Sequence, residues 1–281
     1  ALADRQTRAN GLAPASDFSV LYENVMGKIL LGAYATAPDT WRSFCKTDVV
    51  NDFRPSPRFR VGSFGTMDTV AEGAEYKNKS IPDGAKSTIS TEKKGNIIGL
   101  TYEAIVNDDM SANADLIQRF GRGFGLSIEK EVYDLLAENA GLGPTMTDGD
   151  TLFHANHSNV GTGAAISIAS IDADRIKMGQ QMDISSNEYL DLKPSVLLVP
   201  ITLGSTARRL NTAAYDNDGT ALMKPNVIQN LFGTVVESPR LSGTRRYMFT
   251  DPQVCAAIVV AFLDNVLRPW LIKRGADLPL M

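Results

Sequence analysis

The feature that most limits what this chain can fold into is a stretch of thirty residues without proline, Ser111 to Ala140. Leu116, Ile117, Phe120, Phe124, Ile128, Val132, Leu135 and Leu136 recur along it, mostly three or four apart, the spacing that lines one face of an α-helix. Ser111 supplies a hydroxyl that can accept from first-turn amides, and "GLGP" from Gly141 stops the run. At 1.5 Å per residue such a helix reaches about 45 Å, long for a globular protein and suited to the spine of an extended one. Gly121, Gly123 and Gly125 sit in its middle. Each costs roughly 1 kcal/mol relative to alanine, so together they predict a bend or a close helix crossing.

What precedes the helix is of another kind. Residues 1–30 mix small and polar residues with one amphipathic segment, "FSVLYENVMGKILLGAY", and predict either a frayed terminus or an arm that orders against a partner. Between Asn51 and Gly95 there are eight basic residues, Arg54, Arg58, Arg60, Lys77, Lys79, Lys86, Lys93 and Lys94. Six acidic ones accompany them, Glu72 and Glu75 included, but few large apolar residues do. "FRVGSF" alternates like a strand, so the segment predicts two strands and a long loop. A structureless insertion longer than ~15 residues is uncommon inside a compact domain, so this one is expected to find its partners on another subunit. "NIIGLTYEAIVNDDM" then predicts a strand with a turn at Asn107–Asp109.

After the helix, "SIDADRIKMGQQMDIS" predicts a shorter helix capped by Ser170, with Ile171, Ile176, Met178 and Met182 as its apolar positions. "PSVLLVP" is a continuous apolar run and predicts a strand buried on both faces. "LGSTARRLNTA" predicts a further helix, Asn217–Gly219 a turn, and "GTVVESP", "RYMFTD" and "CAAIVVAFLD" three strands. The class is α+β, with 43% hydrophobic residues sufficient for a core.

Catalytic signatures are sparse. The chain contains no G-x-S-x-G elbow, P-loop or C-x-x-C, and "GRGFG" at 121–125 lies inside a helix, where it cannot aim free amides at a phosphate. Both histidines, His154 and His157, fall in "DTLFHANHSNVG" beside Asp148 and Asp150, which offers a divalent-metal set. The glycine- and asparagine-rich surroundings read instead as a loop whose side chains bond their own turns. Net charge of −4 gives no footprint for dedicated nucleic-acid binding. Two cysteines, Cys45 and Cys255, build no disulfide framework and fit a reducing compartment. The apolar run Val254–Leu263 is about half the ~20 residues a membrane helix requires, so no membrane contact is expected.

The order of elements, an arm, a charged two-stranded loop, a spine helix and a compact α/β unit, resembles the major capsid proteins of tailed bacteriophages, the Hong Kong 97 fold. "LTYEAIVNDDM", "TLFHANHSNVGTGAA", "LDLKPSVLLVPITLGSTARRLN" and "YMFTDP" are similar to stretches of the Mu-like major head subunit group, including members fused to a prohead protease, over roughly residues 93–263. The resemblance implies an N-arm over 1–30 and an extended loop, the E-loop, over 51–95. It implies a peripheral domain from 31–50 and 96–164, carrying the spine helix at about 111–140, an axial domain over 165–253, and return strands over 254–281. The stretch "NVLRPWLIKRGADLPLM" departs from the family pattern.

The implied function is a head protein that forms hexamers and pentamers of an icosahedral virion shell around double-stranded DNA. Its implied partners are other copies, a portal, a prohead protease, decoration proteins and, non-specifically, packaged DNA. No cofactor is implied. Ala1, in place of an initiating Met, is expected to be the mature end after proteolytic removal of a scaffolding region. The ten charged residues of the two-stranded loop named above become candidates for subunit interfaces, and Arg119 and Arg122 on the spine helix for interface or DNA contact. The alternatives are an encapsulin-like nanocompartment and, in a different class, a metal-dependent hydrolase using His154 and His157.

Overall fold

A computed structural model describes residues 15–79, 84–98, 110–161, 163–184, 186, 188–216 and 224–264. The arm's first fourteen residues, the strand and turn expected over 99–109, the turn at Asn217–Gly219 and the stretch beyond Asp264 lie outside the described residues, whereas Ser111, expected as the cap of the long helix, lies inside a helix that already begins at Met110. The chain divides into two compact units, one drawn from Ala1–Asp39 and Lys93–Glu129, the other from Thr40–Glu92 and Lys130–Asn265.

In the first unit, helix α1 (Ala15–Ala35) packs against the opening half of helix α2 (Met110–Gly141). Met26, Leu30 and Ile117 form the buried core, with Ile29, Ile98 and Phe120 against them. The glycines explain how close the helices come. A Cβ on Gly121 would stand 2.5 Å from the Leu30 carbonyl oxygen, and one on Gly125 would stand 2.3 Å from Ala37 Cβ, whereas Gly123 faces open space. Two of the three glycines are thus a crossing, and the bend is elsewhere. Glu138 leaves helical geometry with ψ at 152°, and Asn139 and Ala140 both take left-handed φ, 49° and 57°. The apolar stripe is only partly buried: Ile117, Val132 and Leu136 are enclosed, Leu116 is exposed, and Tyr133, outside the expected stripe, is enclosed as well.

Among the described residues, the second unit is built on aromatic packing and four small sheets. A 3-10 turn, Thr40–Ser43, leads into strand β1 (Cys45–Val50), which pairs in parallel with strand β9 (Ile258–Leu263) from Cys45↔Ile258 to Val50↔Leu263. Trp41 lies against Phe262, and Phe44 stacks on Phe249 with its centroid 5.1 Å away. Strand β4 (Val196–Pro200) is central in a three-stranded sheet, parallel to β7 (Thr234–Ser238) and antiparallel to β8 (Tyr247–Phe249). Every residue of β4 is buried, as its unbroken apolar sequence requires. Helix α4 (Ile201–Thr212) follows directly, and its Ala207, with Leu203 and Leu210, closes a core over Leu197, Val199, Ile228 and Phe232.

Helix α3 (Ile168–Gly179) corrects the sequence reading of its start. Its N-cap is Ser167, and Ser170 is the third helical residue, so the two serines form a reciprocal capping box. The displaced frame also moves the apolar positions: Ile168 and Ile171 are buried, Ile176 is exposed, and Met182 lies beyond the helix. Strands β5 (Tyr215–Asp216) and β6 (Lys224–Pro225) form a short pair, and β2 (Ser56–Val61) with β3 (Gly84–Ile89) an antiparallel hairpin.

Candidate functional site

The β2–β3 hairpin has two unlike faces. Side chains alternate along a strand, and directly paired residues share a face. Register Phe59↔Lys86 and Pro57↔Thr88 therefore groups Pro57, Phe59, Val61, Lys86 and Thr88, and places Arg58, Ser87 and Arg60 opposite. Arg58 ties its face to β1: one guanidinium nitrogen is 2.6 Å from Asp48 Oδ2. Among the described residues, nothing covers the other face. Phe59 is 71% exposed and Val61 61%, and along the connecting loop Met67 and Tyr76 reach 81% and 89%. Residues this apolar are normally buried, and a group of them at full exposure marks an interaction surface.

The charged candidates are distributed over this hairpin and its flanks. Arg54, Arg60, Glu72, Glu75, Lys77, Lys86, Lys93 and Lys94 are exposed. Arg58 and Lys79 hold the segment together internally instead. The Lys79 ammonium donates to the carbonyls of Phe64 and Thr66, closing the loop on itself, while the Ser63 amide donates to the Asp183 carboxylate. On α2, Arg119 donates to Asp115 through Nε and Nη2 at 3.2 and 3.0 Å, an exposed pair one turn apart, and Arg122 faces solvent.

The histidine segment is a loop, not a helical H-x-x-H face. Thr145 bridges Thr151 around a turn at Gly149, and the His157 amide closes a second turn on the His154 carbonyl. Asn159 accepts from the His154 amide at 2.9 Å and donates to the Leu152 carbonyl at 2.8 Å. Among the described residues, Asp148, Asp150 and His157 bring ligand-type atoms within 4.8 Å of one another, and His154 is not among them. His157 Nε2 is 2.7 Å from Asp148 Oδ2 and its Nδ1 is 3.2 Å from the Leu152 carbonyl oxygen. Two ligand atoms on one tetrahedral ion, with bonds of about 2.0–2.2 Å, would stand roughly 3.3 Å apart. The shorter separation is that of a hydrogen bond. The Asp148 carboxylate beside it raises the His157 pKa above the ordinary imidazole value against the opposing effect of burial, and the same bond lowers that of Asp148.

Beside this loop lies an open cleft of about 820 Å³ lined by Phe153, Lys177, Arg245, Arg246, Met248 and others. Its cations serve the fold. Arg246 pairs with Asp174 at 2.7 Å and donates to the Ala164 carbonyl, and Lys177 donates to that of Val160. Arg245 and the Tyr247 hydroxyl both donate to the Gly141 carbonyl, at 3.0 and 2.9 Å, and so anchor the end of α2. Sequence reading missed Arg245 and Arg246. Their only signal is an Arg-Arg pair opening a strand, which without coordinates reads as ordinary solvated charge.

Solved structures share this architecture. The chain is similar to the subunit in the capsid of bacteriophage JBD30 decorated with minor capsid protein trimers, with a TM-score of 0.53 and 16% identity over 74% of this chain and 92% of that one. It is equally similar to the subunit of the JBD30 procapsid, with a TM-score of 0.54 and 15% identity over 82% of this chain and 100% of the other. At such identity the likeness is one of fold. The chain belongs to the phage capsid protein family, whose model matches residues 85–275, more than half its length. It is a capsid shell protein. No curated protein sequence matches it. Among the described residues, no helix is long and apolar enough to cross a membrane.

Proposed function

We propose that this chain is the major head subunit of a tailed phage, assembling as hexamers and pentamers into the icosahedral virion shell that encloses double-stranded DNA. The observation that carries the reading is the uncovered apolar surface of this segment: Phe59 and Val61 on the hairpin face and Met67 and Tyr76 on its connecting loop stand in water. A neighbouring copy is the partner that repeats around a closed shell and covers this face on every subunit. At ~25 cal/mol per Å², covering about 200 Å² of apolar surface gains about 5 kcal/mol per contact, before the cost of ordering the loop. In this reading residues 51–95 are the E-loop, 1–30 the N-arm, 31–50 with 96–164 and 254–281 the peripheral domain, and 165–253 the axial domain. Assembly in the host cytoplasm, a portal and a prohead protease belong to the same reading, as do contacts of the exposed charged residues with neighbours and of Arg119 and Arg122 with the lumen. The JBD30 capsid carries minor capsid protein trimers, and comparable decoration proteins are proposed partners here.

Electron microscopy with light scattering on the purified protein tests the reading. Uniform shells, or rings of six and five subunits, are expected. A monomer that persists across salt and pH conditions overturns it.

A further inference from the structure

Residues 142–161, in the loop that follows α2, contain one side chain with an acceptor at each end. His157 Nε2 faces the Asp148 carboxylate at 2.7 Å and Nδ1 faces the Leu152 carbonyl at 3.2 Å. Neutral imidazole carries a single N–H and serves only one of these acceptors, while the imidazolium donates to both. We propose that His157 works as a protonated clamp, bolting the 146–150 turn to the backbone at Leu152, so that this loop is stiff while the imidazole carries both protons and loosens as rising pH removes one.

The surroundings fit that role. Asp148, Asp150 and His154 are the titratable groups that face His157 from its own loop; the ring of His154 lies 6.1 Å away, with Nδ1 3.3 Å from Asp150 Oδ2. Helix α3 meets the loop with Lys177, bonded to the Val160 carbonyl, and the residues just after the helix meet it with neutral Gln181 on the Ser158 carbonyl. Strand β8 and its approach present Arg245, Arg246 and Tyr247, all bonded to groups other than the imidazole. Two carboxylates thus face the ring, and the neighbouring cations are engaged elsewhere.

The sign follows from linkage. His157 binds its proton more tightly in the folded chain, so its contribution is complete below about pH 6.5 and is lost as pH rises through the raised folded value. Asp148 is shifted downward, so its contribution is present above the usual carboxylate range and is lost only as pH falls through its lowered value. The clamp also bears on the spine. The Phe153 amide donates to the Leu142 carbonyl, and its ring packs 5.3 Å from that of Tyr247, which anchors the last turn of α2. Loosening the loop slackens that anchor.

Hydrogen–deuterium exchange of the intact protein, read on peptides within 142–161 and scaled to the intrinsic exchange rate, tests the clamp from pH 5 to pH 9. Wild-type protection is expected to fall several-fold on the alkaline side, with Asp148→Asn moving that fall to lower pH and His154→Gln leaving it in place. His157→Gln is expected to match the alkaline wild type at every pH; should that variant not fold, the displacement in Asp148→Asn decides alone. A flat wild-type profile overturns the proposal, as does a profile abolished in His154→Gln. Protection that persists at pH 9, is removed by a chelator and returns with Zn²⁺ also overturns it, making the three side chains metal ligands. The readout is local to the loop, so a negative result leaves the shell reading standing.

Discussion

Glycine at 121 and 125 and glycine at 123 are the same residue type two positions apart, yet substitution at them has opposite expected effects. Gly121→Ala drives a methyl into the Leu30 carbonyl, a backbone group that cannot rotate away, so the helices must separate. The expected loss is about 1–3 kcal/mol in a urea titration. Gly123→Ala meets nothing within 4 Å and removes helix-interior glycine, so a gain of roughly 0.5–1 kcal/mol is expected in the same measurement. A second residue-scale test concerns Arg246 and Asp174, whose side chains are only 12% and 21% exposed. Arg246→Met leaves the Asp174 carboxylate in a mostly buried position with its ion-pair partner gone. Breaking a well-buried pair costs about 3–5 kcal/mol, and residual solvent access places the expected loss near the lower end, about 3 kcal/mol by thermal or chemical denaturation.

At the scale of elements, the end of α2 is the unusual place. Ala140 adopts φ 57°, ψ 35°, a conformation that costs an L-residue with a Cβ about 1–2 kcal/mol, beside Asn139, which supports its own left-handed turn by donating to the Gly143 carbonyl at 2.8 Å. Ala140→Gly relieves that cost and gives part of it back as unfolded-chain entropy, so a net stabilisation of about 0.5–1 kcal/mol is expected in the melting midpoint. The sequence does not announce this break, because alanine is the best helix former and only its neighbours' hydrogen bonds hold it elsewhere. The long helix itself was legible, since an apolar stripe across thirty residues leaves few other solutions, and so was β4, whose unbroken apolar run admits burial on both faces alone. The start of α3 was misread for a definable reason. Ser167 and Ser170 are chemically equivalent caps, and only the reciprocal bonds between them show which one is outside the helix. Of the candidate site, the loop character of the histidine segment was readable from its glycines and asparagines. The pairing of His157 with Asp148, nine residues earlier, depends on how two turns fold together and left no mark in local pattern.

For the whole molecule the question is what the hairpin's outer face does when the chain is alone and when it is among copies. Phe59, Met67 and Tyr76 touch too little of their own chain to matter for its folding, and exposed substitutions away from special features change stability by no more than about 0.5 kcal/mol. A triple variant, Phe59→Ser, Met67→Ser and Tyr76→Ser, is therefore expected to melt within a degree or two of wild type as an isolated subunit. Assembly is another matter. Each subunit of a shell presents the same face, so the lost burial is repeated at every contact, and a deficit of about 2 kcal/mol per contact lowers each association constant roughly thirtyfold. Arg58 must be kept in the variant, because its bond to Asp48 orients the hairpin relative to β1 and its loss would confound orientation with adhesion. Light scattering against protein concentration reads the result. A critical concentration for assembly raised at least tenfold, with an unchanged subunit melt, is the expected outcome; shells forming at the wild-type concentration would show that this face is not what the copies use to hold one another.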